Sequence, residues 1–212
     1  MAISFIQRLL EDLNGVSTEL DVRVYLVGEE SHSSIPGALS GLPEQLFVAE
    51  IEDSVELALY IEPGVLAQLE RDQPQRRLHN GNLESFCVAL EGGSHFVKVV
   101  WSARMGRSVS ALELEIQAEV DKFLGAQELL SQQGMSGGLA GWALRKLLFE
   151  KFELRDEVPE EERERYVVAS RAAQRFCEEL LVRYRRDRTP RRMIRDARSF
   201  YRSGLPGMLR SL

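Results

Sequence analysis

Four arginines near the carboxyl end, Arg191, Arg195, Arg198 and Arg202, recur at helical spacing. A guanidinium is the side chain best shaped to meet a carboxylate or phosphate through two parallel hydrogen bonds. At about 100° per residue the four lie within about 60° of one another, a stripe roughly 16 Å long. Such a stripe suits an acidic protein surface, a nucleic-acid backbone or the chain's own acids, which are densest between Glu150 and Glu164. Charge distribution ranks these partners. Residues 183–212 hold ten arginines against Asp187 and Asp196, a net of +8, while the other 182 residues carry 17 basic and 31 acidic side chains, a net of −14. So acidic a body repels a long polyanion everywhere except at the tail. Nucleic acid, and anionic lipid after it, therefore rank below an acidic protein surface, with a second copy of the chain among the candidates.

Other chemistry is thinner. Glu115 and Glu119 stand one helical turn apart and Lys122 three residues further on, a set that could serve acid–base or metal chemistry in a cleft; on a surface it would form ion pairs, the expected case. His32, His79 and His95 are scattered with no C-x-x-C or H-x-x-x-H pair, so no metal site is expected, and no cofactor. Adjacent Ser94 and His95 would point to opposite faces of a strand and cannot pair as nucleophile and base. Gly134–Gly141 precedes Arg145 and Lys146 but lacks the Lys-Ser/Thr of a P-loop, and neither a G-x-S-x-G elbow nor a G-x-G-x-x-G turn occurs. That stretch reads as a hinge.

These residues must be positioned by an α+β chain: a mixed body over 1–131 with a small antiparallel sheet, then a helical region over 139–212 ending in the basic arm. Apolar residues from Ile3 to Leu13 predict a helix stopped by Asn14-Gly15. Residues 21–27, 45–52 and 55–61 read as strands, the last two joined as a hairpin, and Pro63 starts a helix to about Arg71. Residues 29–43 read as a mobile loop or lid. Residues 83–101 read as a hairpin turning at Glu91-Gly-Gly-Ser94, because Phe96-Val-Lys-Val-Val-Trp is β-branched. Ser110 with Glu113 has capping-box spacing and opens a helix to about Leu130. Helices are expected over 139–153, 160–187 and 190–203. Thr189-Pro190 caps the last, Met193, Ile194, Ala197, Phe200 and Tyr201 form its apolar face, and Gly204 with Pro206 closes it.

The N-terminal order of helix, three strands, helix and strand resembles the core of restriction-endonuclease-like nucleases. That resemblance implies an acid on the second core strand and Glu/Asp-x-Lys on the third. The third strand here offers Glu56-Leu57-Ala58, with Asp53 nearby and no lysine, so the nuclease chemistry does not carry over.

Two cysteines, Cys87 and Cys177, give no disulfide framework, and the N-terminus lacks a basic leader, both expected of a cytoplasmic protein. No apolar run approaches the roughly 20 residues of a transmembrane helix. The expected function is a non-enzymatic interaction or adaptor protein docking through its arginine-rich helix. The alternative is a hydrolase or transferase with a site under the 29–43 loop using Glu115, Glu119 or His95, or a nucleic-acid-binding accessory protein.

Overall fold

Apolar residues at three- and four-residue spacing make Ala2–Asn14 a helix, α1, and Gly15 ends it at φ +61, in the left-handed region that glycine enters without strain. The Val16 amide then donates to the Glu11 carbonyl at 3.0 Å, which closes the helix end. In this computed structural model the described residues are 2–52, 54–135, 138–150, 158–184 and 191–210. The fold is α+β, in two units. One comprises Met1–Glu11 with Val16–Ser108, the other Asp12–Gly15 with Val109–Leu212. The helix beginning at Ala111 packs with the helices that follow it in the second unit.

In the first unit a 3₁₀ turn, Val22–Tyr25, leads into strand β1 (Leu26–Val27), helix α2 (Glu29–Ser34), strands β2 (Glu44–Ile51) and β3 (Ser54–Ile61), and helices α3 (Pro63–Arg71) and α4 (Asn80–Arg104). The expected hairpin is present: β2 and β3 pair antiparallel from Glu44↔Ile61 to Ile51↔Ser54, and β1 adds parallel to β3, giving the order β1-β3-β2. The sheet is thus mixed, not wholly antiparallel. Where a strand was expected over 21–27, Asp21 accepts from the Arg23 amide and the Val22 amide donates to the Gln7 side chain, so most of that segment coils into the 3₁₀ turn.

Residues 83–101 are the main correction. They form no hairpin but run through the middle of the 25-residue helix α4. A Cβ built on Gly93 would lie 2.9 Å from Ile6 Cγ2 and 3.0 Å from Leu10 Cδ1; on Gly92 it would lie 3.1 Å from Leu59 and from Glu44. The glycine pair is therefore no turn. It is the place where α4 comes close to α1 on one side and to the sheet on the other, and the β-branched run after it fills the interior of this unit. His79 opens α4, accepting from the Gly81 amide at 3.1 Å while the Asn82 side chain accepts from the His79 amide at 2.9 Å.

In the second unit α5 (Ala111–Gln132) is followed by α6 (Gly138–Arg145), a π-turn (Lys146–Glu150), α7 (Glu160–Arg183), α8 (Arg191–Arg202) and α9 (Gly204–Arg210). Ser110 caps α5 by accepting from the Glu113 amide at 3.2 Å, as expected, and the Glu113 carboxylate accepts from the Leu205 amide at 3.1 Å. Gly204 and Pro206 do not simply stop the chain after α8: they lie within α9. The helix expected over 139–153 divides into α6 and the π-turn, its last residues lying outside the described ones. So do the Thr189-Pro190 cap and the last residues of the helix expected over 160–187. Among the described residues no helix is long and apolar enough to cross a membrane.

Candidate functional site

Helix α8 is held by the apolar face its sequence predicts. Met193, Ala197, Phe200 and Tyr201 are buried, Ile194 is half-buried, and the Phe200 ring stacks on Phe176 of α7 with centroids 3.9 Å apart. At the other end of the contact with α7, Asp196 accepts from Arg183 and from the Tyr184 hydroxyl, each at 2.7 Å. Burial works against the Asp196 charge, but these two hydrogen bonds together with the charges of Arg183 and Arg195 outweigh it and hold its pKa below the usual carboxylate range. A carboxyl depressed on folding stabilises the protein above its unfolded pKa of about 3.9, and that contribution is lost as pH falls through the folded value. Acid unfolding monitored by circular dichroism is therefore expected to be shallower below pH ~4 in Asp196→Asn than in the parent chain.

The arginine row divides into two kinds. Arg198 Nε donates to the Leu13 carbonyl at 3.0 Å and its Nη2 to the Asp12 carbonyl at 2.6 Å; Arg202 Nη2 donates to the Gly15 carbonyl at 2.6 Å and its Nη1 to the Arg198 carbonyl at 3.0 Å. The C-terminal end of α1 has no basic residue in its last turn, and its carbonyls carry the negative end of the helix dipole. Arg198 and Arg202 supply that missing charge from α8. Arg195 differs: it is exposed and makes no hydrogen bond or ion pair among the described residues, and Arg192 is exposed in the same way. Arg191 opens α8, and its side chain lies outside the described residues.

Glu115 and Glu119 are not surface residues as expected. Both are 6% exposed, and α5 also buries Glu113, Gln117 and Asp121. The expected ion pair of Glu119 with Lys122 forms at 2.7 Å, but inside the unit. Glu115 lies 3.6 Å from Arg165 of α7, which also pairs with Glu162 at 3.0 Å. Burial opposes the Arg165 charge, yet Glu115 and Glu162 more than offset it, so its pKa is raised. Asp121 accepts from Asn14 at 3.1 Å and from Gln117 at 2.9 Å. Burial first, then the charges of Glu119 and Asp121, push the Cys177 thiol well up, which leaves it protonated and unreactive. Partners spread over α1, α5 and α7 could not be paired by spacing alone. Among the described residues no group of three or more His, Cys, Asp or Glu side chains could hold a metal ion.

The 29–43 segment, expected to be a mobile loop or lid, is instead pinned to the sheet. His32 is buried and stacks on Tyr60 with ring centroids 3.9 Å apart; its Nε2 lies 3.2 Å from Gln45 Oε1. Gln45 and Tyr60 are cross-strand partners and so share a face of the sheet. The Gln45 amide also donates to the Gly37 carbonyl, and its oxygen accepts from the Leu39 amide. Beneath the segment is a cavity of about 380 Å³, lined by Glu29, His32, Tyr60 and Glu62 together with Ser33 and Ser40. Glu115, Glu119 and His95, the residues expected to serve a site here, are not in that lining; His95, on α4, lies 3.8 Å from Glu44. His32 looked like one more scattered histidine in the sequence, and only its cross-strand surroundings mark it.

Comparison of the chain with protein-family models, with curated proteins and with solved structures finds no match.

Proposed function

We propose that this chain is a non-enzymatic interaction protein that docks through the basic face of α8 onto an acidic protein surface, the favoured partner being a second copy of itself. The observation that carries this reading is the exposed Arg195, which makes no hydrogen bond or ion pair among the described residues, standing with Arg192 on a helix whose position is fixed by Arg198 and Arg202. A rigid helix loses little entropy when its side chains are engaged. The complementary surface is the outer half of the β2–β3 hairpin. There Glu50, Glu52 and Glu56 are exposed beside Val48, Ile51 and Val55, which are 47%, 47% and 40% exposed. Glu50 shares one face of the hairpin with Val48 and Val55, while Glu56 lies on the opposite face with Ile51, so each face offers an exposed carboxylate beside apolar residues to an arginine.

Sedimentation velocity tests this. The intact chain is expected to self-associate at about 0.05 M salt and to dissociate at about 0.5 M, and Arg192→Glu/Arg195→Glu is expected to stay monomeric at both. A wild-type chain that is monomeric at every salt and protein concentration and also fails to bind poly-glutamate would overturn the reading. So would a chain that binds labelled RNA more tightly than poly-glutamate. A second reading, a hydrolase or transferase acting under the 29–43 segment, is favoured by the cavity there; Glu29, His32, Tyr60 and Glu62 would then replace the residues first expected to serve it.

A further inference from the structure

The cavity under residues 29–43 has a lining with one electrostatic sign. Glu29 and Glu62 both border it, and neither carboxylate makes a hydrogen bond or ion pair among the described residues. Among the described residues no lysine or arginine lines it. Its floor is aromatic, since Tyr60 stacks on His32 at an interplanar angle of 22°. Tyr60 is 6% exposed, yet its hydroxyl has no hydrogen-bond partner among the described residues. The rest of the Tyr60 side chain is enclosed and the residue lines the cavity, so a ligand bound there can satisfy its hydroxyl. Burial first, then the charges of Glu29 and Glu62, raise the Tyr60 pKa, so both carboxylates act on the same hydroxyl that the cavity exposes.

We propose that this cavity binds a small organic cation, with its alkylammonium group between Glu29 and Glu62, donating to the Tyr60 oxygen and lying against the Tyr60–His32 stack. Carboxylates meet an ammonium through charge-assisted hydrogen bonds, and an aromatic face adds the attraction of its quadrupole for a cation. A volume of about 380 Å³ is near the lower end of small-molecule sites, which run from about 300 to 1,000 Å³, and so fits a short amine better than a large cofactor. A metal ion is a poorer occupant, because no group of three or more ligating side chains stands together among the described residues.

The full chain would be titrated with three probes: 1,4-diaminobutane, uncharged 1,4-butanediol, and a short blocked peptide with one lysine. Binding would be read by calorimetry and by the ring resonances of His32 and Tyr60. Saturable binding of the diamine that moves both rings, with no response to the diol, is the expected result. Glu29→Gln and Glu62→Gln are each expected to weaken it about tenfold and Tyr60→Phe about threefold, as for single hydrogen bonds to a charge. Both glutamates are exposed, so these variants keep the fold, which circular dichroism would verify. Binding of the peptide but not the diamine would assign the same ammonium chemistry to a lysine side chain. No saturable binding of either amine, an equal response to the diol, or unchanged affinity in both glutamine variants would overturn the proposal.

Discussion

Gly93→Val is expected to destabilise the first unit by about 3 kcal/mol in urea unfolding. The new Cβ would sit 2.9 Å from Ile6 Cγ2 and 3.0 Å from Leu10 Cδ1, both on fully buried side chains of α1 with no room to withdraw. Valine is the better helix former of the two, so local propensity would by itself favour the variant by a few tenths of a kcal/mol; packing is expected to outweigh it about tenfold. Gly28→Ala is the control, because a Cβ there meets nothing within 4 Å and the change should stay within about 0.5 kcal/mol. The experiment separates the two readings of residues 83–101. If Gly92-Gly93 were a hairpin turn, valine would clash with neither α1 side chain, and a variant as stable as the parent chain would contradict the α4 helix.

Arg198→Ala is expected to cost about 2–3 kcal/mol, since it removes two charge-assisted hydrogen bonds to the Asp12 and Leu13 carbonyls and leaves Arg202, on the Gly15 carbonyl, as the remaining counter-charge at the end of α1. Arg198→Lys should recover less than half of this. An ammonium supplies the charge, but not the fork that reaches two carbonyls at once. Gly15→Ala should reproduce much of the loss: its Cβ would fall 2.8 Å from Arg198 Nε, and φ +61 is unfavourable for alanine. Because both changes act on one contact, the double variant should lose less than the sum, and strict additivity in the cycle would argue that Arg198 does not hold Gly15 and its neighbours.

Where structure is set by local signals, the sequence was sufficient. The β2–β3 hairpin follows from two alternating segments around a short turn, and α5 from its Ser110 cap. The buried face of α8 follows from Met193, Ala197, Phe200 and Tyr201 at three- and four-residue spacing. What escaped has non-local causes. Gly92-Gly93 signals a turn in isolation, and only the nearness of Ile6 and Leu59 turns it into a packing site. The carboxylates of α5 look solvent-facing until Arg165 and Asn14 arrive from other helices. Arg198 and Arg202 bind backbone carbonyls, which carry no side-chain signature, so four arginines of one type gave no hint that they divide between holding and gripping.

That division is tested most directly by a charge swap. Arg192→Glu/Arg195→Glu and Glu50→Lys/Glu52→Lys/Glu56→Lys are each expected to sediment as monomers at about 0.05 M salt, and their equimolar mixture as a heterodimer, because the reversed faces attract again. A mixture that stays monomeric while the wild-type chain associates would contradict the pairing of α8 with the hairpin, and so would variants that associate as the wild type does.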